Sequence, residues 1–201
     1  MLIGPRYKIA RRLGAGIFEK TSTQKFLFRQ GEKSKARPRG KSDFSAQLLE
    51  KQKARFTYGV NERQFAKYVN ESLEKKGVKA DETLYSRLER RLDNAVYRLG
   101  LVSSRQAGRQ MVSHGHILVN GKRVTVPSFN VVEGDKITIA ERSQKKALFS
   151  SLAERMKGRP QIPSWLKFDI EKKEAVVQGA PKMQRHELIF DIGAILEFYR
   201  R

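Results

Sequence analysis

The sequence predicts an α+β fold in which helices flank a short antiparallel sheet and an extended basic arm leads into them. Three observations carry that expectation. Apolar residues recur at helical spacing through residues 42–99, the period changes to two around an Asn-Gly pair at 120–121, and residues 1–41 show little periodicity under dense positive charge.

The arm comes first. Residues 1–41 carry twelve Lys and Arg against two Glu, which is +10 of the chain's formal +21. The segment ends in KARPRGK, where Pro38 and Gly40 interrupt regular structure among Arg37, Arg39 and Lys41. Its apolar residues, such as Ile17, Phe18, Phe26, Leu27 and Phe28, come in short clusters that cannot build a core. Self-repulsion is therefore expected to leave the arm largely disordered until a polyanion neutralises it.

Ser42 can cap a helix in which Phe44, Leu48, Leu49 and Phe56 share a face, with Gly59 as its stop. A second helix follows Asn61, placing Phe65, Tyr68, Val69 and Leu73 at helical spacing before Lys75, Lys76 and Gly77 close it. Asp81 caps the longest candidate, whose stripe of Leu84, Leu88, Leu92, Ala95 and Leu99 ends at Gly100. Ser103 or Ser104 starts a short helix through Ser113.

In HILVNGKRVTV, Ile117 and Val119 alternate before Asn120-Gly121, the favoured pair for a type I′ turn, and Val124 and Val126 alternate after it. A further strand, KITIA from Lys136, follows the Gly134-Asp135 turn. From Ser143 a helix is expected towards Lys157, then an irregular stretch with Pro160 and Pro163, then an amphipathic helix from Leu188 to Tyr199.

Composition narrows the partners. With 42 Lys and Arg against 21 Asp and Glu and a pI near 10.4, the surface seeks polyanions. The absence of cysteine rules out disulfides and thiolate metal sites, zinc fingers among them. No apolar stretch reaches the length of about 20 residues that a membrane span needs, and MLIGPRYKIARR lacks the apolar core of a secretory signal. The expected location is the cytoplasm.

Arg87, Arg91 and Arg98, with Asn94 between them, are expected on one side of the long helix, opposite its leucines. On the next helix Arg105 and Arg109 lie one turn apart behind a serine-capped N-terminus that can receive a phosphate oxygen. Taken singly, such arginines are better explained by solvation or by pairing with Glu89 and Asp93. Two adjacent helices leading into a basic hairpin favour phosphate, which guanidinium forks grip bidentately.

These residues carry a resemblance. RLDNAVYRLG at Arg91 to Gly100, SRQAGRQMVSHGHILVNGKRV at Ser104 to Val124 and VPSFNVVEGDKI at Val126 to Ile137 resemble the helix-turn-helix-plus-hairpin RNA-binding module of the small-subunit ribosomal protein four family. YGVNERQF, EKQKARF, the opening GPRYKIARR and the late PSWL extend the resemblance along nearly the whole chain. It implies a mainly helical lobe, residues 42–88 and 151–201, into which a small RNA-binding module, residues 89–150, is inserted.

The resemblance also implies a structural constituent of the small ribosomal subunit, not an enzyme, that binds small-subunit rRNA directly and early in assembly. Such a protein touches small-subunit ribosomal protein five, contributes to decoding accuracy and lines the channel through which messenger RNA enters. RNA-facing candidates by matched position are Arg87, Arg91, Arg98, Arg105, Arg109, His114, Lys122 and Arg123, with Arg6, Lys8, Arg11 and Arg12 in the arm. Arg37, Arg39 and Lys41 are the messenger candidates. A ribosome-bound protein without cofactor, metal, membrane contact or homo-oligomer is expected, in the cytoplasm or in an organelle. The other reading is a free-standing RNA-binding regulator or chaperone.

Where many members have cysteine pairs that hold zinc, this chain has Tyr7 and Ala10 in place of the first pair, and the second is absent. Gly108 replaces a more usual alanine and should cost its helix up to about 1 kcal/mol unless packing or RNA needs the space. His114 and His116 with the distant His186 supply at most three nitrogens, so an RNA contact is favoured over a metal site. Asp93 in Arg91-Leu92-Asp93 matches the tripeptide around the nucleophile of some pseudouridine synthases, but it falls inside the module's own helix. A structural carboxylate is expected.

Overall fold

The computed structural model describes residues 3–14, 16–18, 21, 23–26, 28, 42–75, 77–144, 162–169 and 171–200. The chain divides into two compact units, Met1–Leu84 with Gln184–Arg201 and Tyr85–Met183. Among the described residues no helix is long and apolar enough to cross a membrane.

The first unit is helical. Helix α1 (Arg6–Leu13) packs on α2 (Asp43–Tyr58), and α3 (Glu62–Glu74) follows one turn later. The caps are those the sequence suggests. Ser42 Oγ accepts from Ser45 N, Asn61 Oδ1 accepts from Gln64 N, and Gly59 ends α2 at φ 65°. Helix α8 (Ile192–Arg200) starts where Asp191 accepts from Gly193 N, four residues later than expected, and lies against α2 and α3. Ala54, Tyr58, Phe65, Val69, Phe190, Ile195 and Leu196 form the core between them.

Two expectations change in this unit. The arm is not extended over Arg6–Leu13: Ala10 and Leu13 share one side of α1 and are buried, while Phe18 meets Phe56 of α2 edge to face at 6.4 Å. Ala10, Leu13 and Phe18 need no core of their own because α1 and Phe18 pack against α2, whereas Phe28 is exposed. The buried face of α2 is also not the one expected. Lys51, Ala54 and Tyr58 face inward, while Phe44 stays half exposed against Phe198 at 5.3 Å. Lys51 tolerates burial because its ammonium bonds Glu62 at 2.9 Å and lies 4.5 Å from the centre of the Phe198 ring.

Helix α4 (Ala80–Glu89) runs from the first unit into the second, where α5 (Leu92–Arg98) and α6 (Arg105–Ser113) pack together. Strands β1 (Ile117–Val119), β2 (Lys122–Arg123), β3 (Lys136–Ile139), β4 (Leu166–Asp169) and β5 (Glu174–Val177) form one antiparallel sheet in the order β2-β1-β3-β5-β4. Asn120 and Gly121 both have positive φ, 51° and 76°, as a type I′ turn requires. Ile117, Val119, Ile137, Ile139, Ala175 and Val177 turn one face of the sheet to Leu92, Val96, Leu99, Met111 and Val112. Each fully buried leucine there contributes about 2 kcal/mol of transfer free energy.

Three further differences concern this unit. The long helix expected from Asp81 to Leu99 breaks at Arg91, whose backbone is extended and bridges Asn130. Leu92 N donates to Phe129 O at 2.8 Å and Asp93 N to Pro127 O at 3.1 Å, so the loop after β2 takes the amides that would have continued the helix. Strand β2 is shorter than expected, for it stops at Arg123 and leaves Val126 exposed. The hairpin of β4 and β5 belongs to this sheet, whereas residues 151–201 were expected wholly in the helical lobe. Leu166 and Phe168 on β4, and Ala175 and Val177 on β5, alternate inward in paired register. Of the helix expected from Ser143 to Lys157, the described residues hold only the short α7 (Glu141–Gln144).

Candidate RNA-binding site

The break before α5 places two buried carboxylates among four arginines. Arg91 is 1% exposed and grips Asp93 with Nε to Oδ1 at 3.0 Å and Nη2 to Oδ2 at 2.6 Å. Burial pushes the Asp93 carboxyl up, and Arg91, Arg109 and the Asn94 amide pull against it. Asp93 is thus held by Arg91, Arg109 and the Asn94 amide. Glu89, fully buried, is gripped by Arg98 with Nε to Oε2 at 2.9 Å and Nη2 to Oε1 at 3.0 Å.

Arg91 and Arg98 therefore depart from expectation. They do not project from a common helix side; their guanidiniums neutralise acids inside the unit, because an uncompensated carboxylate there would be costly. Pairing with Asp93 and Glu89 is what the structure places at these two arginines, with 26% of the Arg98 side chain still exposed.

The neighbouring helix differs. Ser104 Oγ caps α6 by accepting from Ala107 N at 3.2 Å. Arg105 Nε donates to Asn94 Oδ1 at 2.7 Å while its guanidinium lies 4.5 Å from the centre of the Tyr97 ring. Asn94 in turn donates to both the backbone oxygen and the carboxylate of Glu89 at 3.0 Å. Arg109, with 40% of its side chain exposed, reaches Asp93 at only 3.9 Å. One turn thus carries two cations braced from α5 and partly open to solvent.

Helix α6 approaches α5 closely enough that glycine is required at one point. A Cβ on Gly108 would overlap the carbonyl oxygen of Asp93. This explains the residue that the helix pattern alone makes costly.

Past α6, Arg123 Nη2 donates to His114 O at 3.1 Å, so the hairpin is joined to the helix end. Its guanidinium covers Gly115, at φ 68°, where a side chain would overlap it. His114, Lys122 and Arg123 are exposed. His116 is half buried, its Nδ1 2.8 Å from Ser143 Oγ. Among the described residues no group of three or more His, Cys, Asp or Glu is placed to hold a metal ion.

The remaining candidates belong to other segments of the chain. Arg87 is half buried on α4. In the first unit α1 carries Lys8, Arg11 and Arg12 exposed and Arg6 half buried. Arg37, Arg39 and Lys41 lie outside the described residues. Sequence reasoning missed the bracing roles of Asn94 and Tyr97. Their only signal was three-residue spacing on a helix whose neighbour bears arginines.

Comparison with known proteins agrees along the chain. A profile of the ribosomal protein S4/S9 N-terminal domain matches residues 1–89, and one of the S4 domain matches residues 90–137. The chain is 39% identical over 207 residues to small ribosomal subunit protein uS4 of Thermus thermophilus, covering 99% of this chain and 98% of that relative. It is 41% identical to the protein of that name from Lysinibacillus sphaericus, over 98% of each chain. For Chloroflexus aurantiacus the figure is 38%, over 99% of this chain and 98% of the relative. With both profiles matched in order and relatives aligned end to end, the chain belongs to the ribosomal protein S4 family.

Proposed function

We propose that the protein is a structural constituent of the small ribosomal subunit that binds small-subunit rRNA directly and performs no catalysis. The observation that carries this reading is the braced pair Arg105 and Arg109 on α6, joined through His114 to Arg123 of the hairpin. Fixed guanidiniums lose little entropy when they meet phosphates, so RNA shape and backbone are what such a surface recognises. Asp93, the one residue with an enzymatic likeness, is engaged by Arg91 and Arg109. Of the candidates, Arg105, Arg109, His114, Lys122 and Arg123 form the main contact, with Arg87 and the α1 cations as further ones.

In this reading the chain joins rRNA early in assembly, touches small-subunit ribosomal protein five and contributes to decoding accuracy. Arg37, Arg39 and Lys41 meet messenger RNA where it enters, and the protein acts in the cytoplasm as a single copy per subunit. Family membership and the +10 charge of residues 1–41 support these assignments. Co-sedimentation tests the reading: the protein should accompany small subunits at near-unit stoichiometry through high-salt washing. Substoichiometric, salt-removable association would favour a free-standing RNA-binding regulator instead.

A further inference from the structure

The tip of the hairpin joins a reactive dipeptide to a lock. In Asn-Gly sequences the glycine amide is the least hindered of all following amides, and its nitrogen can attack the asparagine side-chain carbonyl. Asn120 is exposed, so water and base reach it. Yet its amide is held at both ends: Nδ2 donates to Asp135 Oδ1 at 2.8 Å, and Oδ1 accepts from Lys136 N at 2.9 Å. The Asn120 backbone is fixed as well, its N donating to Lys136 O at 2.8 Å. Asp135 is itself buried and bonded through its second oxygen to Val132 N at 2.8 Å.

We propose that Asn120 is a latent deamidation site, held unreactive by Asp135 and Lys136 while the hairpin stays docked on β3 and released when that contact opens. These two bonds restrain the rotation of the side-chain amide that attack by the Gly121 nitrogen requires. On opening, the Gly121 nitrogen bonds to Asn120 Cγ, its proton leaves with the amide as ammonia, and a cyclic imide forms. Water then opens either carbonyl to give aspartate or isoaspartate, with no oxidant or co-reactant. Neither product restores the joint. Aspartate still offers Lys136 N an oxygen, but it has lost the donor to Asp135 and sets a second carboxylate against it. Isoaspartate lengthens the turn by one backbone atom, which the two-residue connection between Val119 and Lys122 does not accommodate. The modification is therefore one-way: a hairpin that has reacted is hindered from docking again.

The full chain is incubated in mildly alkaline buffer, folded and in urea, and the tryptic peptide ending at Lys122 is followed by fragmentation mass spectrometry. The folded chain should react at least tenfold more slowly than the unfolded one. Asp135→Ala should speed the reaction in folded chain, and circular dichroism in the same buffer establishes that the variant is folded. A variant that does not fold is replaced by Asp135→Asn, which keeps the shape and offers the Asn120 amide a neutral acceptor; it should react at an intermediate rate. Equal rates in folded and unfolded wild-type chain, or no acceleration in a folded Asp135 variant, would overturn the proposal.

Discussion

Glu62 accepts the phenolic hydrogen of Tyr199 at 2.7 Å, tying α8 to α3 across 137 residues of sequence. The same carboxylate bonds Lys51 at 2.9 Å and Arg55 at 2.6 Å. Burial pushes Glu62 up, but Lys51, Tyr199 and Arg55 outweigh it and hold the carboxyl below the ordinary glutamate range. Burial and then Glu62 push the Tyr199 phenol up, so it remains a donor. A carboxyl lowered by folding contributes stability above its unfolded pKa and loses that contribution as pH falls through the folded one. Glu62→Gln should therefore lower the urea midpoint most near neutrality, and the gap to wild type should close on acidification. A pH-independent gap would assign the effect to packing. Tyr199→Phe should cost about 1 kcal/mol at neutral pH.

Arg91 and Asp93 form a pair that solvent does not reach, and pairs of that kind respond unevenly to mutation. Arg91→Met leaves the buried carboxylate with the Asn94 amide and the more distant Arg109, and should cost about 3–5 kcal/mol. Adding Asp93→Leu removes the orphaned charge, so the double variant should be less destabilised than the sum of the two singles. Urea unfolding of the four chains measures this. Additive losses would show that the two side chains act independently.

Gly108→Ala separates helix propensity from helix spacing. In an isolated helix the change would stabilise by about 1 kcal/mol. Here the new methyl group meets the Asp93 carbonyl, a backbone atom that cannot rotate away. Overpacking of this kind costs about 1–3 kcal/mol, so the melting temperature should fall. A rise would mean that α5 and α6 separate freely.

The elements visible in the sequence are those fixed by local chemistry. Ser42, Asn61 and Ser104 announce their helices through side-chain oxygens, and Asn120-Gly121 sets its turn by tolerating positive φ. What stayed hidden depends on partners distant in sequence. Nothing near Arg91 says that the helix must break there; the reason lies in the carbonyls of Pro127 and Phe129. The leucine stripe survives the break, with Leu88, Leu92 and Leu99 all buried, so periodicity reads through it. The arginines show the same limit. Spacing alone made Arg91, Arg98, Arg105 and Arg109 alike, and only the positions of Glu89, Asp93 and Asn94 sort the buried pairs from the open ones. The β4 and β5 hairpin has only weak local signals, because LKFD is a short alternation beside Pro160 and Pro163 and EAVV does not alternate.

The open cations make separable contributions to rRNA binding. If on the order of eight phosphates are neutralised, log affinity should fall against log salt with a slope of roughly six to seven. Lys122→Gln with Arg123→Gln, both exposed at the hairpin, should lower that slope by about two and lower the melting temperature only slightly, because Arg123 gives up its bond to His114 O. Arg105→Gln with Arg109→Gln should weaken binding by more than about 1 kcal/mol. That pair should also lower the melting temperature slightly, because Arg105 gives up its bond to Asn94 and its place over Tyr97. Filter binding of an rRNA fragment across a salt series, with thermal melts of each variant, reads both effects. An unchanged affinity and slope for all four substitutions would return these residues to an ordinary solvated surface, and a large thermal loss in the hairpin variant would make Lys122 and Arg123 structural.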